Sequence, residues 1–275
     1  MKNPRRVVGV VAAWVLCGSA AAAHDFWIEP SRYVLEPGEG VAARLLVGHA
    51  WEKESFARKP SHLEAFELHG PGLTQPLVEL AGADPAGRAR LAEPGVHVLV
   101  YRSRPTRLEM EAAAFESYLR EEGLEAIVAE RARRGESERS GLEAYARCAK
   151  ALVRTPGAPS KGHDRTFDLP LELTPVSDPF AASSPEGGAA IELRLTSRGI
   201  PLAGSLVEAQ SLVAGESLTL SARTDAAGRV RLVLPRGGAW LFAAVHMTRA
   251  ADAAGSPDWE SWWASLTLEL GSPPP

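Results

Sequence analysis

A histidine at position 24 directly follows an alanine run, Ala21 to Ala23, in the segment SAAAAHDFWIEP. Small residues at this place are typical of an export-signal cleavage site, so cleavage after Ala23 would make His24 the first residue of the mature protein. A free N-terminal histidine binds a metal ion through its α-amine and its ring Nδ1 together, in a six-membered chelate. Because the α-amine has a pKa of about 7.7–8.0, a metal ion displaces its proton easily near neutral pH. A second imidazole then completes a three-nitrogen site, the arrangement called a histidine brace.

Two further histidines stand at the ends of apolar strand faces. His49 continues the alternating apolar residues of GVAARLLVGHAW, and His246 continues those of AWLFAAVHM. Loops gather at the ends of sheets, and binding sites are commonly built there. The sequence therefore predicts a metal site made of His24, His49 and His246. Imidazole nitrogens suit nickel, cobalt and copper, among which copper(II) binds most strongly.

The other candidate groups carry a weaker signal. His163 lies on a loop and is a reserve ligand, whereas His62, His69 and His97 have no partner signal in the sequence. Asp25 and Glu260 are carboxylates near the predicted ligands, and their participation stays open. Arg147 and Lys150 are either an anion-binding pair or a solvated helix face. The group Trp259, Trp262 and Trp263 either stacks a sugar or fills a core.

Composition and charge place the chain among exported proteins. Residues 1–23 combine a basic start, a short apolar stretch and small residues, as in a signal peptide. Removing them takes away three positive charges and no negative ones, so the formal net charge changes from −4 to −7. This charge argues against nucleic acid as a partner, and no segment is long and apolar enough for stable membrane insertion after processing. One of the two cysteines, Cys148, survives cleavage. We therefore expect a periplasmic or secreted protein without an intrachain disulfide.

The segments that must position these histidines read mainly as strands. We expect an N-terminal β domain over 24–175, with a helical insertion at about 111–153, a linker at 176–188 and a C-terminal β-sandwich domain at 189–270. In the insertion, apolar residues recur at helical spacing around a break at Gly123, and Ser140 with Glu143 fits a capping box before a second helix. The segment GVHVLVYRS is apolar on both faces, which indicates a central strand. The fold class predicted is mainly β, with two β-sandwich-like domains.

Several segments, in the same order along nearly the whole mature chain, resemble the domain-of-unknown-function family 4198. They are HDFWIEPS, LLVGHAWE, YARCAKALV, RTDAAGRVRL and AVHM with DWESWWASL. The resemblance implies a periplasmic component of cobalt or nickel uptake, and the family pattern matches at His24, His49 and His246. GIPLAGSLVEA and TDAAGRVRL also resemble transthyretin-like or carboxypeptidase-regulatory β-sandwiches.

These observations lead to one expected function and two alternatives. We expect a non-catalytic protein that captures nickel, cobalt or copper and delivers the ion to a membrane transporter. One alternative is a copper-dependent polysaccharide oxidase, which also uses a histidine brace. The other is a binding module without any metal ion.

Overall fold

The computed structural model describes residues 25–49, 52–181, 188–251 and 255–270. The predicted signal peptide and His24 lie outside these residues. Strands make up 51% of the described residues and helices 9%, so the mainly β fold class is confirmed. None of the helices in the described ranges is long and apolar enough to cross a membrane.

Seventeen strands and two α-helices, with one 3-10 turn at Pro60–His62, follow one another along the described chain. The elements are β1 (Asp25–Pro30), β2 (Gly40–His49), β3 (Glu52–Ser55), β4 (Leu63–His69), β5 (Thr74–Pro76), β6 (Gly87–Arg90), β7 (Val96–Ser103), β8 (Thr106–Met110), α1 (Ala112–Glu121), α2 (Glu125–Arg133), β9 (Gly141–Arg154), β10 (Leu171–Pro175), β11 (Ala189–Ser197), β12 (Ile200–Pro201), β13 (Leu206–Ser211), β14 (Thr219–Arg223), β15 (Arg229–Leu234), β16 (Gly238–Arg249) and β17 (Trp259–Leu270).

A nine-stranded sheet joins the two halves of the chain. Its order is β14-β13-β16-β17-β9-β7-β4-β5, and β8 pairs with β9. The strands of the N-terminal half meet those of the C-terminal half where β9 runs parallel to β17. β7 lies between β4 and β9, which confirms the central strand predicted from its two apolar faces.

Two smaller sheets cover the two faces of this sheet. On the front face lie β1, β2, β3 and β6 together with the two helices, and on the back face lie β10, β11, β12 and β15. Neighbouring residues of a strand point to opposite faces. In β16, accordingly, Leu241 packs with Trp27 on the front face, whereas Phe242 joins the core on the back face. Each face of the large sheet is therefore covered by one of the smaller sheets.

The helical insertion is shorter than predicted. α1 and α2 follow one another around Gly123, whose φ of +67° lies in the left-handed region, so the predicted break is confirmed. The predicted helix from residue 141 is wrong, because this segment forms β9. Its small and apolar residues are buried on both faces, with Ala149 on the front and Cys148 on the back, and pairing with β7, β8 and β17 outweighs the helix propensity of its alanines.

The ends of the predicted linker coincide with strand ends. β10 ends at Pro175, and β11 begins at Ala189. These two strands pair with each other in the back sheet. Residues 182–187 of this connection lie outside the described residues.

Candidate functional site

The first described residue, Asp25, stands at the start of β1 and next to the end of β2. In the antiparallel register Asp25 is opposite Gly48, and His49 is the last residue of β2. His49 is itself opposite Glu52, the first residue of β3. Gly48 has a φ of +128°, and a Cβ built on it would lie 2.3 Å from the Glu52 carbonyl oxygen. This close approach of β3 requires glycine beside His49.

Three carboxylates from three different elements meet near this end of β1. They are Asp25, Glu208 of β13 and Glu122, which caps the C-terminus of α1. We call these three residues the acidic cluster. Gln210 of β13 is buried, and its Nε2 donates a hydrogen bond of 2.5 Å to Asp25 Oδ2. β13 therefore anchors the start of β1 from the front face of the large sheet.

Burial raises the pKa of every member of the acidic cluster, and repulsion from other carboxylates adds to this for Asp25 and Glu122. Burial, followed by the charge of Glu208, raises the pKa of Asp25 to about 7, against the hydrogen bond from Gln210. Burial also raises the pKa of Glu122 well above its ordinary value, and the charges of Asp25 and Glu208 add to this. The pKa of Glu208 is raised by burial, against the hydrogen bond from Gln210 and the charge of His49. A cation placed here would favour the ionised carboxylates.

A fourth carboxylate continues this chain of acids beneath α1. Glu143 of β9 is 1% exposed, and its Oε1 accepts hydrogen bonds from the hydroxyls of Tyr118, at 3.1 Å, and Ser261. Tyr118 stacks on Trp263 with 5.6 Å between ring centroids. Burial raises the pKa of Glu143. Its charge is one of those that raise the pKa of Glu122, so the two carboxylates are electrostatic neighbours.

His246 lies on the other face of the large sheet. It follows Ala244 on the back face of β16, and its ring stacks against Trp262 at a centroid distance of 6.2 Å. Burial lowers the pKa of His246, and no charged group among the described residues contributes to this shift. Glu260 is exposed on the same back face, in a shallow pocket beside Trp262.

The structure therefore does not bring all the predicted ligands together. His49 acts electrostatically on Glu208, which is opposite Ala243 and so projects to the front face. His246 points away from that face, because it lies three positions after Ala243 in a regular strand and side chains alternate between the two faces. The sheet stands between the His49 and His246 rings. His24, the third predicted ligand, lies outside the described residues.

Two other histidines, His69 and His163, have partners elsewhere in the structure. His69 hydrogen-bonds Glu67 and Thr74, and His163 Nδ1 is 2.9 Å from the Ser160 carbonyl oxygen. His97 is 2% exposed and packs against Gly70. Within the described ranges, no group of three or more His, Cys, Asp or Glu side chains is arranged to hold a metal ion.

Comparison with known families identifies the family of this chain. A family model described as Domain of unknown function (DUF4198) matches residues 21–248. The chain belongs to the DUF4198 family. Within this DUF4198 protein the match includes His24, His49 and His246, as well as all members of the acidic cluster. A search of curated proteins finds no match.

Sequence reasoning on this DUF4198 chain missed Glu208 and Glu122. Glu208 alternates with the apolar residues Val207 and Ala209, a pattern that is typical of a solvent-facing polar residue. In the structure the front face of β13 is instead covered by the start of β1 and the end of α1. Glu122 follows another glutamate at a helix end, which is an ordinary surface pattern. The local sequence therefore does not indicate that Glu208 or Glu122 belongs to the acidic cluster.

Proposed function

We propose that the mature DUF4198 protein is an exported, transition-metal-binding protein whose site is built around its N-terminus. In this proposal the signal peptide ends at Ala23, and His24 binds the ion through its α-amine and Nδ1. The His49 ring supplies the third nitrogen. The protein carries nickel, cobalt or copper and delivers the ion to a membrane uptake system. Nitrogen ligands of this kind suit all three metals.

The pairing of β1 with β2 is the observation that carries the proposal. Asp25 is opposite Gly48, so in the mature chain the preceding residue, His24, comes next to His49 if the ladder continues by one pair. Directly opposite residues of an antiparallel pair have Cβ atoms about 4.5–5.5 Å apart, and their side chains share a face. Two imidazoles at this separation can hold one ion, because metal–nitrogen bonds are about 2.0–2.1 Å long.

The acidic cluster supports the same proposal through its charge. Asp25, Glu122 and Glu208 repel one another, and the charges that act on Asp25 and Glu122 from the described residues are all negative. A divalent cation at the N-terminus would offset this repulsion. Glu208 is also within electrostatic reach of His49, so its carboxylate is the group best placed to act as an oxygen ligand or to orient the His49 ring.

His246 has no part in this arrangement, since its side chain lies on the back face of the large sheet. It serves instead as the matched control. The test is isothermal titration of nickel(II), cobalt(II) and copper(II) into the mature protein that begins at His24. We expect one ion per chain, and His49→Ala should weaken binding at least tenfold, about 1.4 kcal/mol. His246→Ala should leave the affinity within about twofold, well below that 1.4 kcal/mol.

Two outcomes would contradict the proposal. One is a mature protein that binds none of the three ions. The other is an equal loss of affinity in the His49 and His246 variants, which would show that the ion is not held at the end of β2. The delivery step is tested separately, by comparing the uptake of radioactive nickel, cobalt and copper into cells with and without the gene. Unchanged uptake of each metal would refute delivery but not binding.

A further inference from the structure

Arg147 of β9 lies on the front face of the large sheet, among aromatic rings. Its guanidinium carbon is 4.9 Å from the ring centroid of Phe26, 4.8 Å from that of Phe56 and 5.1 Å from that of Tyr145. The side chain is partly buried, and burial lowers its pKa. Three separate elements thus enclose one cation: β1 supplies Phe26, the segment after β3 supplies Phe56, and β9 supplies Tyr145.

No hydrogen bond runs from the N–H groups of this guanidinium to another described residue. A guanidinium stacks on aromatic rings through its faces, whereas its five N–H bonds lie in its plane and are suited to bidentate contacts with an oxyanion. No carboxylate among the described residues lies within ion-pair distance of Arg147. The Arg147 side chain donates no hydrogen bond to any described residue. The one hydrogen bond at this residue runs from its backbone N–H to Ser103 Oγ, at 2.8 Å.

Lys150, three residues further along β9, has the opposite arrangement. It is 1% exposed, and its Nζ donates to Glu172 Oε1 at 2.8 Å and to Thr174 Oγ1 at 3.1 Å. The fold therefore pairs Lys150 of β9 with a carboxylate, whereas Arg147, which is partly buried, has no carboxylate partner among the described residues. A buried charge is normally paired, and contacts with aromatic rings offset only part of its desolvation.

Two phenol groups stand beside the guanidinium. The Tyr145 ring lies 5.1 Å from the guanidinium carbon, and the Tyr101 ring packs against Phe26, another ring in contact with Arg147, with 4.9 Å between the ring centroids. Neither hydroxyl has a hydrogen bond to another described residue. An anion that accepts the N–H bonds of Arg147 would find two further O–H donors in the same crevice.

We propose that Arg147, Tyr101 and Tyr145 form a binding site for a small carboxylate. The carboxylate oxygens accept two in-plane N–H bonds of Arg147 and the phenol hydroxyl bonds, and the rings of Phe26 and Phe56 form the walls. A monoanion matches the single positive charge of the site. None of these three residues is among the proposed metal ligands, so the two sites can be tested separately.

The experiment is a thermal-shift and calorimetric titration of the mature protein with sodium acetate, sodium benzoate and sodium phosphate. Chloride keeps the ionic strength constant, and EDTA is present throughout so that no carboxylate binds through a metal ion. We expect saturable binding and stabilisation by acetate or benzoate. Arg147→Met, which keeps an apolar stem between the rings, should weaken this binding at least tenfold.

Arg198→Met is the matched control, since Arg198 also stacks on an aromatic ring, that of Trp262 at 5.2 Å, but is exposed. It should leave carboxylate affinity unchanged. If Arg147→Met does not fold, Tyr145→Phe tests the same site, because it keeps the ring and removes the hydroxyl; its affinity should fall about threefold, near the lower end of a hydrogen bond's net contribution. The proposal is overturned if neither carboxylate binds saturably, if phosphate alone does, or if the folded Arg147 or Tyr145 variant binds as tightly as the unaltered protein.

Discussion

The ion pair between Lys150 and Glu172 allows a quantitative test of how the large sheet and the back sheet are held together. Lys150 belongs to β9 in the large sheet and Glu172 to β10 in the back sheet, with exposures of 1% and 3%. Glu172 also accepts the Phe167 backbone N–H at 3.0 and 3.2 Å, so it fixes the loop before β10 as well. Lys150→Met keeps the length and the apolar stem of the side chain but leaves the carboxylate buried without its cation.

Breaking a buried pair by removing one partner costs about 3–5 kcal/mol. For a chain of this size each kcal/mol lowers Tm by about 2–4 °C, so we expect Tm to fall by about 6–20 °C. Guanidinium chloride unfolding at pH 7 gives the free energy directly, and the slope m should stay constant. The double variant Lys150→Met/Glu172→Gln should recover more than about 2 kcal/mol of the loss, because no charge is then left buried.

Lys53→Met provides the matched control, because Lys53 pairs with Glu29 at the surface, where the side chains are 31% and 21% exposed. Its cost should stay below about 1 kcal/mol. A loss of less than about 1 kcal/mol in Lys150→Met, or a double variant as unstable as the single one, would refute the reasoning that this pair is a buried, mutually dependent unit.

Two further predictions concern the surroundings of the candidate site. Burial raises the pKa of Glu143, so the folded protein holds this proton more tightly than the unfolded chain, and the resulting stability is present at low pH and lost as pH rises through the folded pKa. Glu143→Gln should therefore stabilise the protein at pH 8 by about 1–2 kcal/mol, with a smaller difference near pH 4, in unfolding titrations at both pH values; destabilisation at pH 8 would contradict this. Gly48→Ala should cost about 1–3 kcal/mol and weaken nickel binding, since the added Cβ forces β3 away from the end of β2. Gly38→Ala, at a φ of +86° in open space, should leave nickel affinity unchanged, and equal affinities in both variants would show that the geometry around His49 is irrelevant to binding.

Hydrophobic periodicity and turn residues in the sequence were sufficient to predict the elements that have a regular amphipathic pattern. β2 and the helices α1 and α2 follow from their apolar spacing, and β7 follows from its two apolar faces. The segment of β9 misled the same reasoning, because its alanines and its stripe Leu142, Ala146, Ala149 and Val153 also fit a helix. Its true state depends on the partner strands β7 and β17, which are distant in sequence.

The candidate site was predictable in part for a related reason. His49 could be placed at a strand end, but the face on which His246 projects depends on which sheet covers each side of β16. The local sequence around His246 does not indicate which sheet covers each side of β16. Similarly, the local pattern predicts that Glu208 is a surface residue. In the structure the start of β1 covers this part of β13, where Gln210 donates a hydrogen bond to Asp25. Long-range packing, rather than local pattern, decides which polar groups meet.

The central claim is that the α-amine of His24 is itself a ligand, and one extra residue tests it most directly. The mature protein beginning at His24 is compared with the same chain carrying a single glycine before His24, by titration with nickel(II) at pH 7. The extension leaves every imidazole and carboxylate intact, but it converts the α-nitrogen into an amide and removes the free amine from the chelate ring. We predict at least tenfold weaker nickel binding by the extended chain, about 1.4 kcal/mol, comparable with His49→Ala. Equal affinities of the two chains would contradict the account and show that any ion is held by side chains alone.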